Sequence, residues 1–174
     1  MGEIFEQKPV KLVTSVIFRD KKFLEEAERG LEELFGPQDD LSLECPFDFT
    51  EYYRDEFGVS LSRKLMCFKR LLGKERVPEA KIETNELENR SAVDGRRRVN
   101  IDPGYVTEAK LVLLTTKDYT HRVYIGRKIF AESTLFFQDG TFRSWPWTYP
   151  DYASEEMVDY YNSVRGKYME DIGS

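Results

Sequence analysis

Residues 96–128 hold most of the side chains that could do chemistry in this chain. The segment reads RRRVNIDPGYVTEAKLVLLTTKDYTHRVYIGRK and contains the only histidine of the sequence. It carries eight lysines or arginines against three acidic residues, a local charge of +5 (8 − 3), whereas the whole chain has a net charge of −6. Clustered cations between apolar runs favour a pocket for an anionic ligand.

Three cationic side chains of this segment, Lys110, Lys117 and Arg122, are predicted to neutralise such an anion. Arginine suits the task because its planar guanidinium bonds phosphate or carboxylate with two parallel hydrogen bonds. The predicted ligand-binding set is completed by the polar side chains Asn100, Asp102 and Glu132. A solvated basic surface paired with acidic helices is the alternative interpretation of the same cations.

His121 is the first candidate for acid–base chemistry, because its ordinary pKa lies near neutrality. Asp118 precedes it by three residues and is predicted to orient the ring if one turn holds both. We therefore name His121 and Asp118 as candidate catalytic residues for phosphoester or nucleotide chemistry. A histidine that only satisfies hydrogen bonds at a strand is the alternative.

Several well-defined site motifs are missing from the sequence. There is no GxxxxGK[ST] and no GxGxxG, and Thr116-Lys117-Asp118 lacks the asparagine and spacer of a guanine-reading element. The sequence is therefore not that of a P-loop GTPase. One histidine and two dispersed cysteines predict no zinc site, while the many carboxylates leave an oxygen-ligand Mg²⁺ site open.

Length and composition limit the classes of protein to which this chain could belong. A chain of 174 residues with 40% hydrophobic content predicts a single globular domain, with a core over about residues 8–170. Its acidic balance argues against binding duplex nucleic acid, which needs broad basic surfaces. No run approaches the roughly 20 apolar residues that span a bilayer. The acidic N-terminus lacks the pattern of a signal peptide, so we expect a cytoplasmic protein without membrane contact.

The first half of the chain predicts strands around one amphipathic helix. A Val- and Ile-rich strand over 8–19 leads to Asp20, a good N-cap for a helix that Gly36-Pro37 would end. Further strands are predicted over 41–50, with Pro46 favouring a sheet edge, and over 63–72, where a short helix competes. Residues 51–58 are predicted as a helical turn or loop. The spacing of Asn85 and Glu88 predicts a short helix over 85–95.

The second half predicts a C-terminal meander. We expect a strand over 97–101, a turn at Asp102-Pro103-Gly104 and a helix beginning at Thr107. Strands over 122–125 and 129–137 are joined through Gly126, and residues 138–140 turn into a strand over 141–145. Ser154 is predicted to cap a last helix. Its buried stripe consists of Met157, Tyr161, Val164 and Tyr168.

This order of elements predicts an α+β fold with a mixed or antiparallel sheet and about three helices. A ferredoxin-like core with an added C-terminal hairpin and helix is one arrangement that the order allows. The aromatic corner Trp145-Pro-Trp147-Thr-Tyr149-Pro is predicted to pack the last helix onto the sheet. Stacking of its rings on a base or sugar is the functional alternative.

A resemblance to a known family rests on segments along most of the chain. The segments KLVTSVIF, FGP, PFDFTEYY, KIETNELE, RRVNIDPGYV, KLVLLTTKDYTHRVYIG, IFAESTLFF and WPWTYPDY resemble a bacterial family described as a domain of unknown function. Some members of that family carry the label "GTP-binding protein". The resemblance covers roughly residues 8–168 and implies a free-standing, single-domain cytoplasmic protein, without assigning catalytic residues or a cofactor.

Together these observations favour a protein that binds a phosphorylated small ligand, such as a nucleotide or an RNA end, in the region from Asn100 to Arg122. Two other hypotheses stay open. One is an enzyme that uses His121 as acid or base, and the other is a non-catalytic module whose acidic flanks dock a protein partner.

Overall fold

The described residues form one antiparallel sheet with three α-helices. The computed structural model describes residues 2–4, 6–47 and 60–173. In chain order the elements are β1 (Lys11–Phe18), α1 (Lys21–Phe35), β2 (Gln38–Phe47), β3 (Leu61–Phe68), a short 3₁₀ turn (Lys74–Arg76), α2 (Val77–Arg90), β4 (Val99–Val106), β5 (Lys110–Thr115), β6 (Val123–Gly126), β7 (Ile129–Gln138), β8 (Thr141–Ser144) and α3 (Glu155–Gly173). The predicted α+β class is confirmed.

The strand order identifies the core of the sheet. The strands follow the order β2-β3-β1-β4-β5-β7-β6, with β8 paired to β7, and all pairs are antiparallel. Among the described residues, the first six strands and α-helices follow the order βαββαβ, with β1 between β3 and β4, which is the ferredoxin-like arrangement. The last four strands extend this core beyond β4. We call β5, β6, β7 and β8 the C-terminal wing.

The two faces of the sheet bury different helices, because successive side chains of a strand point to opposite sides. One face of β1 presents Leu12, Val16 and Phe18 to a core that also contains side chains of α1 and α2. The other face presents Val13 to a core that contains Met157, Tyr161 and Val164 of α3. We call this second side of the sheet the α3 face. Residues of β1 are therefore buried along the whole strand.

Most predicted elements are confirmed. Helix α1 ends at Gly36, whose positive φ of 89° suits glycine, and all four residues of the predicted α3 stripe are buried. Ser154 Oγ accepts a hydrogen bond from the Met157 amide at 3.4 Å, as expected of an N-cap. Strand β2 lies at the sheet edge with Pro46 in it, and β3 is a strand rather than a helix. The prediction for residues 51–58 and the last three residues of the predicted strand over 41–50 lie outside the described residues.

The predicted helix over 85–95 is wrong in its bounds, because α2 already begins at Val77. Pro78 lies in its first turn, where proline is tolerated since the first amides of a helix have no intrahelical partner. Asn85 therefore lies inside the helix rather than at its cap. Asn85 and Glu88 have the spacing of a capping box, but both lie within a longer helix and do not mark its start.

Asp102-Pro103-Gly104 is not a turn but part of the strand β4. Asp102, Pro103 and Gly104 pair with Ser15, Thr14 and Val13 of the central strand, respectively. On its other side, β4 pairs with β5 only from Gly104 to Val106. This pairing stops before Pro103, because proline has no amide hydrogen to donate to β5. Gly104 is required there, because a Cβ would lie 2.6 Å from the carbonyl oxygen of Val112.

The helix predicted to begin at Thr107 is also wrong, since residues 110–115 form β5. Leu111 belongs to the core under α3, whereas Leu114 belongs to the core under α1 and α2. A strand buried on both faces is a continuous apolar run, and periodicity alone does not distinguish it from a buried helix. Across the described ranges, no helix is long and apolar enough to cross a bilayer.

Candidate functional site

Strand register brings the predicted site residues Asp102 and Glu132 to the same face of the sheet. A row of paired residues runs across the strands from Val13 through Gly104 and Leu113 to Glu132, on the α3 face. Asp102 precedes Gly104 by two residues and therefore points to the same side. Because β5 lies between their strands, the two backbones are about 10 Å apart.

Glu132 is the buried centre of a polar cluster in the C-terminal wing. Its side chain is only 4% exposed, and its Oε2 atom accepts a 2.9 Å hydrogen bond from Arg122 Nε. His121 Nε2 lies 3.1 Å from the same oxygen. Thr134 Oγ1 donates to Oε1 at 3.4 Å. One buried carboxylate therefore fixes both the predicted imidazole and the predicted guanidinium.

The guanidinium of Arg122 also holds the loop before β6. Its NH1 group donates to the carbonyl of Lys117 at 3.1 Å, and its plane lies 4.8 Å from the ring centre of Tyr119. A guanidinium over an aromatic face is stabilised by the ring quadrupole. These contacts of Arg122 therefore attach the loop that carries Lys117 to the Glu132 cluster.

His121 belongs to a row of stacked rings, which we call the aromatic row: Tyr119, His121, Trp147, Trp145 and Phe136. Successive ring centres lie 6.3, 5.8, 5.1 and 4.3 Å apart along this row. The first three pairs are nearly parallel, with interplanar angles of 24°, 15° and 9°. Tyr119, at one end of the row, is 59% exposed, whereas Trp147, which is 39% exposed, lies inside the row between His121 and Trp145.

A bulge in β7 positions the tryptophans of the row. The pairing of β5 with β7 jumps from Leu135 to Ser133, which leaves Thr134 as the extra residue. The Ser133 carbonyl accepts from Trp147 Nε1 at 3.1 Å, and the Thr134 carbonyl accepts from Thr148 Oγ1 at 2.6 Å. The bulge therefore anchors the turn over residues 145–148 beside the Glu132 cluster.

A second polar cluster surrounds Asp102 at the edge of β4. Lys81 of α2 donates to Asp102 Oδ1 at 3.2 Å, and Asn100 Nδ2 donates to Asp102 Oδ2 at 2.7 Å. Arg97 NH1 donates to both Asn100 Oδ1 and Glu88 Oε2 at 2.9 Å. We call these five residues the Asp102 cluster. Burial raises the pKa of Glu88, although Lys81 and Arg97 act in the opposite direction.

Not every predicted residue joins these clusters. Lys110 is exposed at the first position of β5, so it lies about 17 Å along the strand from Thr115 at the other end. Asp118 is exposed, and the carboxylate that meets the His121 ring is Glu132. The structure thus brings together His121, Arg122 and Glu132 in one cluster and Asn100 and Asp102 in another, with Lys117 on the loop beside the first.

Sequence reasoning missed Lys81 and assigned Glu88 only to a capping box. They lie seven residues apart with Thr84 between them, a spacing that places all three on one face of α2, and all three are buried. Polar residues at helical spacing inside a buried helix were the available signal. Among the described residues, no group of three or more histidine, cysteine or acidic side chains could hold a metal ion.

Comparison with known proteins gives a family but no activity. The family model described as a domain of unknown function (DUF4416) matches residues 8–168. No curated protein and no solved structure matches the chain. The match runs from just before β1 into α3 and includes both polar clusters. The chain therefore belongs to the DUF4416 family.

Proposed function

We propose that the protein binds a phosphorylated ligand that carries a planar ring, such as a nucleotide or an RNA end, at the aromatic row. The main support is the exposed ring of Tyr119 at the end of the aromatic row, together with the guanidinium of Arg122, whose Cζ atom lies 4.8 Å from the centre of that ring. The ring of the ligand would stack on this surface, and its phosphate would lie near Lys117 and Arg122.

The rings supply the sequence-tolerant part of such binding. A base that stacks on an aromatic side chain gains about 1–3 kcal/mol, whichever base it is, because every base has a π-face. The aromatic row is held in place before the ligand arrives by the hydrogen bonds of Trp147 and Thr148 to the β7 bulge. A fixed platform avoids the entropic cost of ordering side chains on binding.

The positive charge of residues 117–128 favours an anionic ligand. Residues 117–128 contain four cationic side chains, which are Lys117, Arg122, Arg127 and Lys128, and one acidic side chain, Asp118. Arg122 is paired with Glu132 and Arg127 with Glu79, but the excess of cations in this segment of a chain of net charge −6 still favours an anion there. The exposed position of Lys117 beside the Arg122 guanidinium suits a phosphate that remains partly solvated.

Three probes separate the two parts of this proposal: adenosine 5′-monophosphate, adenosine without the phosphate, and ribose 5-phosphate without the base. Trp145 and Trp147 are the only tryptophans of the chain, so quenching of tryptophan fluorescence, excited at a wavelength that tyrosine does not absorb, reports on the aromatic row. We expect the monophosphate to quench the fluorescence and to bind more tightly than either fragment in calorimetric titrations.

Two variants then assign each part to a side chain. Tyr119→Leu should weaken binding of the monophosphate about tenfold and bring its affinity down to that of ribose 5-phosphate. Lys117→Ala should remove the advantage of the monophosphate over adenosine, and the matched Lys69→Ala at an exposed position beyond β3 should leave it unchanged. If no probe binds the folded wild type, or if both variants bind like the wild type, the proposal is wrong.

A further inference from the structure

The edge of β4 beyond the end of its pairing with β5 is completed by side chains of α2. The amide of Ile101 donates to Glu88 Oε1 at 2.5 Å, and its carbonyl accepts from Lys81 Nζ at 3.0 Å. Both backbone groups of one residue point to the same side of an antiparallel strand. Lys81 and Glu88 therefore occupy the place that β5 would take, and the two strands separate there.

Lys81 passes through this gap to a carboxylate that solvent reaches. Helix α2 packs with the core on the opposite side of the sheet, whereas Asp102 points to the α3 face. The Lys81 side chain is 8% exposed, but that of Asp102 is 37% exposed. The ammonium thus approaches Asp102 from the protein interior, and the outer side of the carboxylate stays open.

Asp102 retains capacity to accept further hydrogen bonds. An ionised carboxylate offers about four lone-pair sites. From the described residues, one donor reaches each oxygen, namely Lys81 at Oδ1 and Asn100 at Oδ2. These two bonds fix the plane of the carboxylate and leave about two acceptor sites. A fixed acceptor with two open sites matches a pair of neighbouring hydroxyl groups.

The position of Asp102 relative to the phosphate side follows from the strand register. Gly104 pairs with Leu113, so the same antiparallel register continued past the end of the ladder sets Asp102 beside Thr115 and Asn100 beside Lys117. The Asp102 cluster therefore lies across the open end of the β4–β5 hairpin from the loop that would contact phosphate. A nucleotide would thus lie over the gap that Lys81 and Glu88 fill, with its phosphate near Lys117 and its sugar hydroxyls near Asp102.

We propose that Asp102, held by Lys81 and Asn100, accepts hydrogen bonds from the ribose hydroxyls of the ligand. This inference rests on the proposed function and makes it more specific, because it selects ribonucleotides over deoxyribonucleotides. The 2′-hydroxyl is the group by which a protein distinguishes RNA from DNA at a given site. Lys81 acts as a positioning residue, since it sets the carboxylate without needing to touch the ligand.

The test compares adenosine 5′-monophosphate with its 2′-deoxy and 3′-deoxy forms by calorimetric titration. We expect the wild type to bind the ribonucleotide about tenfold more tightly than either deoxy form, because each lacks one hydrogen bond to a charged acceptor. Asp102→Asn should reduce this preference to less than about twofold. The matched Asp139→Asn, in the exposed β7–β8 turn, should keep it.

Each result has a distinct meaning. Equal affinity of the wild type for the ribose and deoxyribose forms overturns the inference and leaves the proposed function standing. A preference that Asp102→Asn retains in full also overturns it. Absence of binding by all three nucleotides overturns the inference together with the proposed function. If Asp102→Asn does not fold, the wild-type comparison of the ribose and deoxyribose forms decides.

Discussion

Replacing Asp39 with alanine is expected to lower the free energy of unfolding by about 3–5 kcal/mol. Asp39 of β2 accepts a 2.7 Å hydrogen bond from Lys11 of β1, whose side chain is fully buried. Asp171 near the end of α3 accepts from the same ammonium at 2.7 Å. The variant would leave this buried charge with one carboxylate, and it would loosen β2 and α3 together. Urea denaturation measures the loss.

Two controls separate this ion pair from a general effect of mutation. Asp40→Ala removes the exposed neighbouring carboxylate and should change stability by less than about 0.5 kcal/mol. The double variant Lys11→Met/Asp39→Leu should be more stable than Asp39→Ala, because well-packed apolar side chains can replace a buried ion pair without loss. A loss below about 1 kcal/mol for Asp39→Ala would contradict the account.

The same pair gives a signed pH dependence. Burial raises the pKa of Asp39, but its bonds with Lys11 and the Asp40 amide outweigh this and lower it below 3.8. Burial lowers the pKa of Lys11, but the carboxylates of Asp171 and Asp39 outweigh this effect and raise the pKa above 10.5. The pair therefore contributes its full stabilisation between pH 3.8 and pH 10.5, the ordinary pKa values of the two groups. It is lost as pH falls through the folded pKa of Asp39 or rises through that of Lys11. The difference in stability between wild type and Asp39→Ala should follow this window.

Replacing Glu132 with alanine is expected to reduce stability by about 3 kcal/mol and to abolish nucleotide binding. The Arg122 side chain is only 10% exposed, and it would lose the carboxylate that neutralises it. His121 would lose its fixed partner and with it the alignment that joins Tyr119 to Trp147 in the aromatic row. The altered surroundings of Trp147 should appear as a shifted emission spectrum in the folded variant.

Glu132→Gln and Glu86→Ala complete this comparison. The glutamine keeps one acceptor oxygen but no charge. The Glu132→Gln variant should therefore be more stable than Glu132→Ala but still bind the nucleotide more weakly than the wild type. Glu86 is exposed on α2, and its removal should leave both stability and binding near wild-type values. Wild-type affinity for adenosine 5′-monophosphate in Glu132→Gln would show that the buried carboxylate does not organise the site.

The parts of the fold that the sequence predicted are those with strong periodicity. Helices α1 and α3 and the β7–β8 hairpin follow from apolar spacing and from glycine, proline and serine at their ends. The errors lie where local signals oppose tertiary pairing. Pro103 and Gly104 are typical turn residues, yet here proline ends a ladder and glycine permits close approach to Val112. Only the neighbouring strand reveals that role.

Some members of the candidate site were predictable from the sequence, but the contacts between them were not. His121, Arg122 and Glu132 could be named from residue type, but the eleven-residue separation of His121 and Glu132 gives no indication that they touch. Lys81 was missed because a lysine on the inner face of a helix becomes visible only when its partner strand is known. Trp147 was predicted to pack α3 onto the sheet, yet 39% of its surface is exposed.

The most direct measurement is proton NMR of the His121 ring and the two tryptophan indoles during titration with adenosine 5′-monophosphate. The chain has one histidine and two tryptophans, so these signals report on the aromatic row without interference from other residues of their type. We predict that the His121 ring protons and the Trp147 indole shift with one binding curve, and that Lys117→Ala weakens it. If these signals stay in place at millimolar nucleotide while the protein remains folded, the aromatic row does not bind nucleotides.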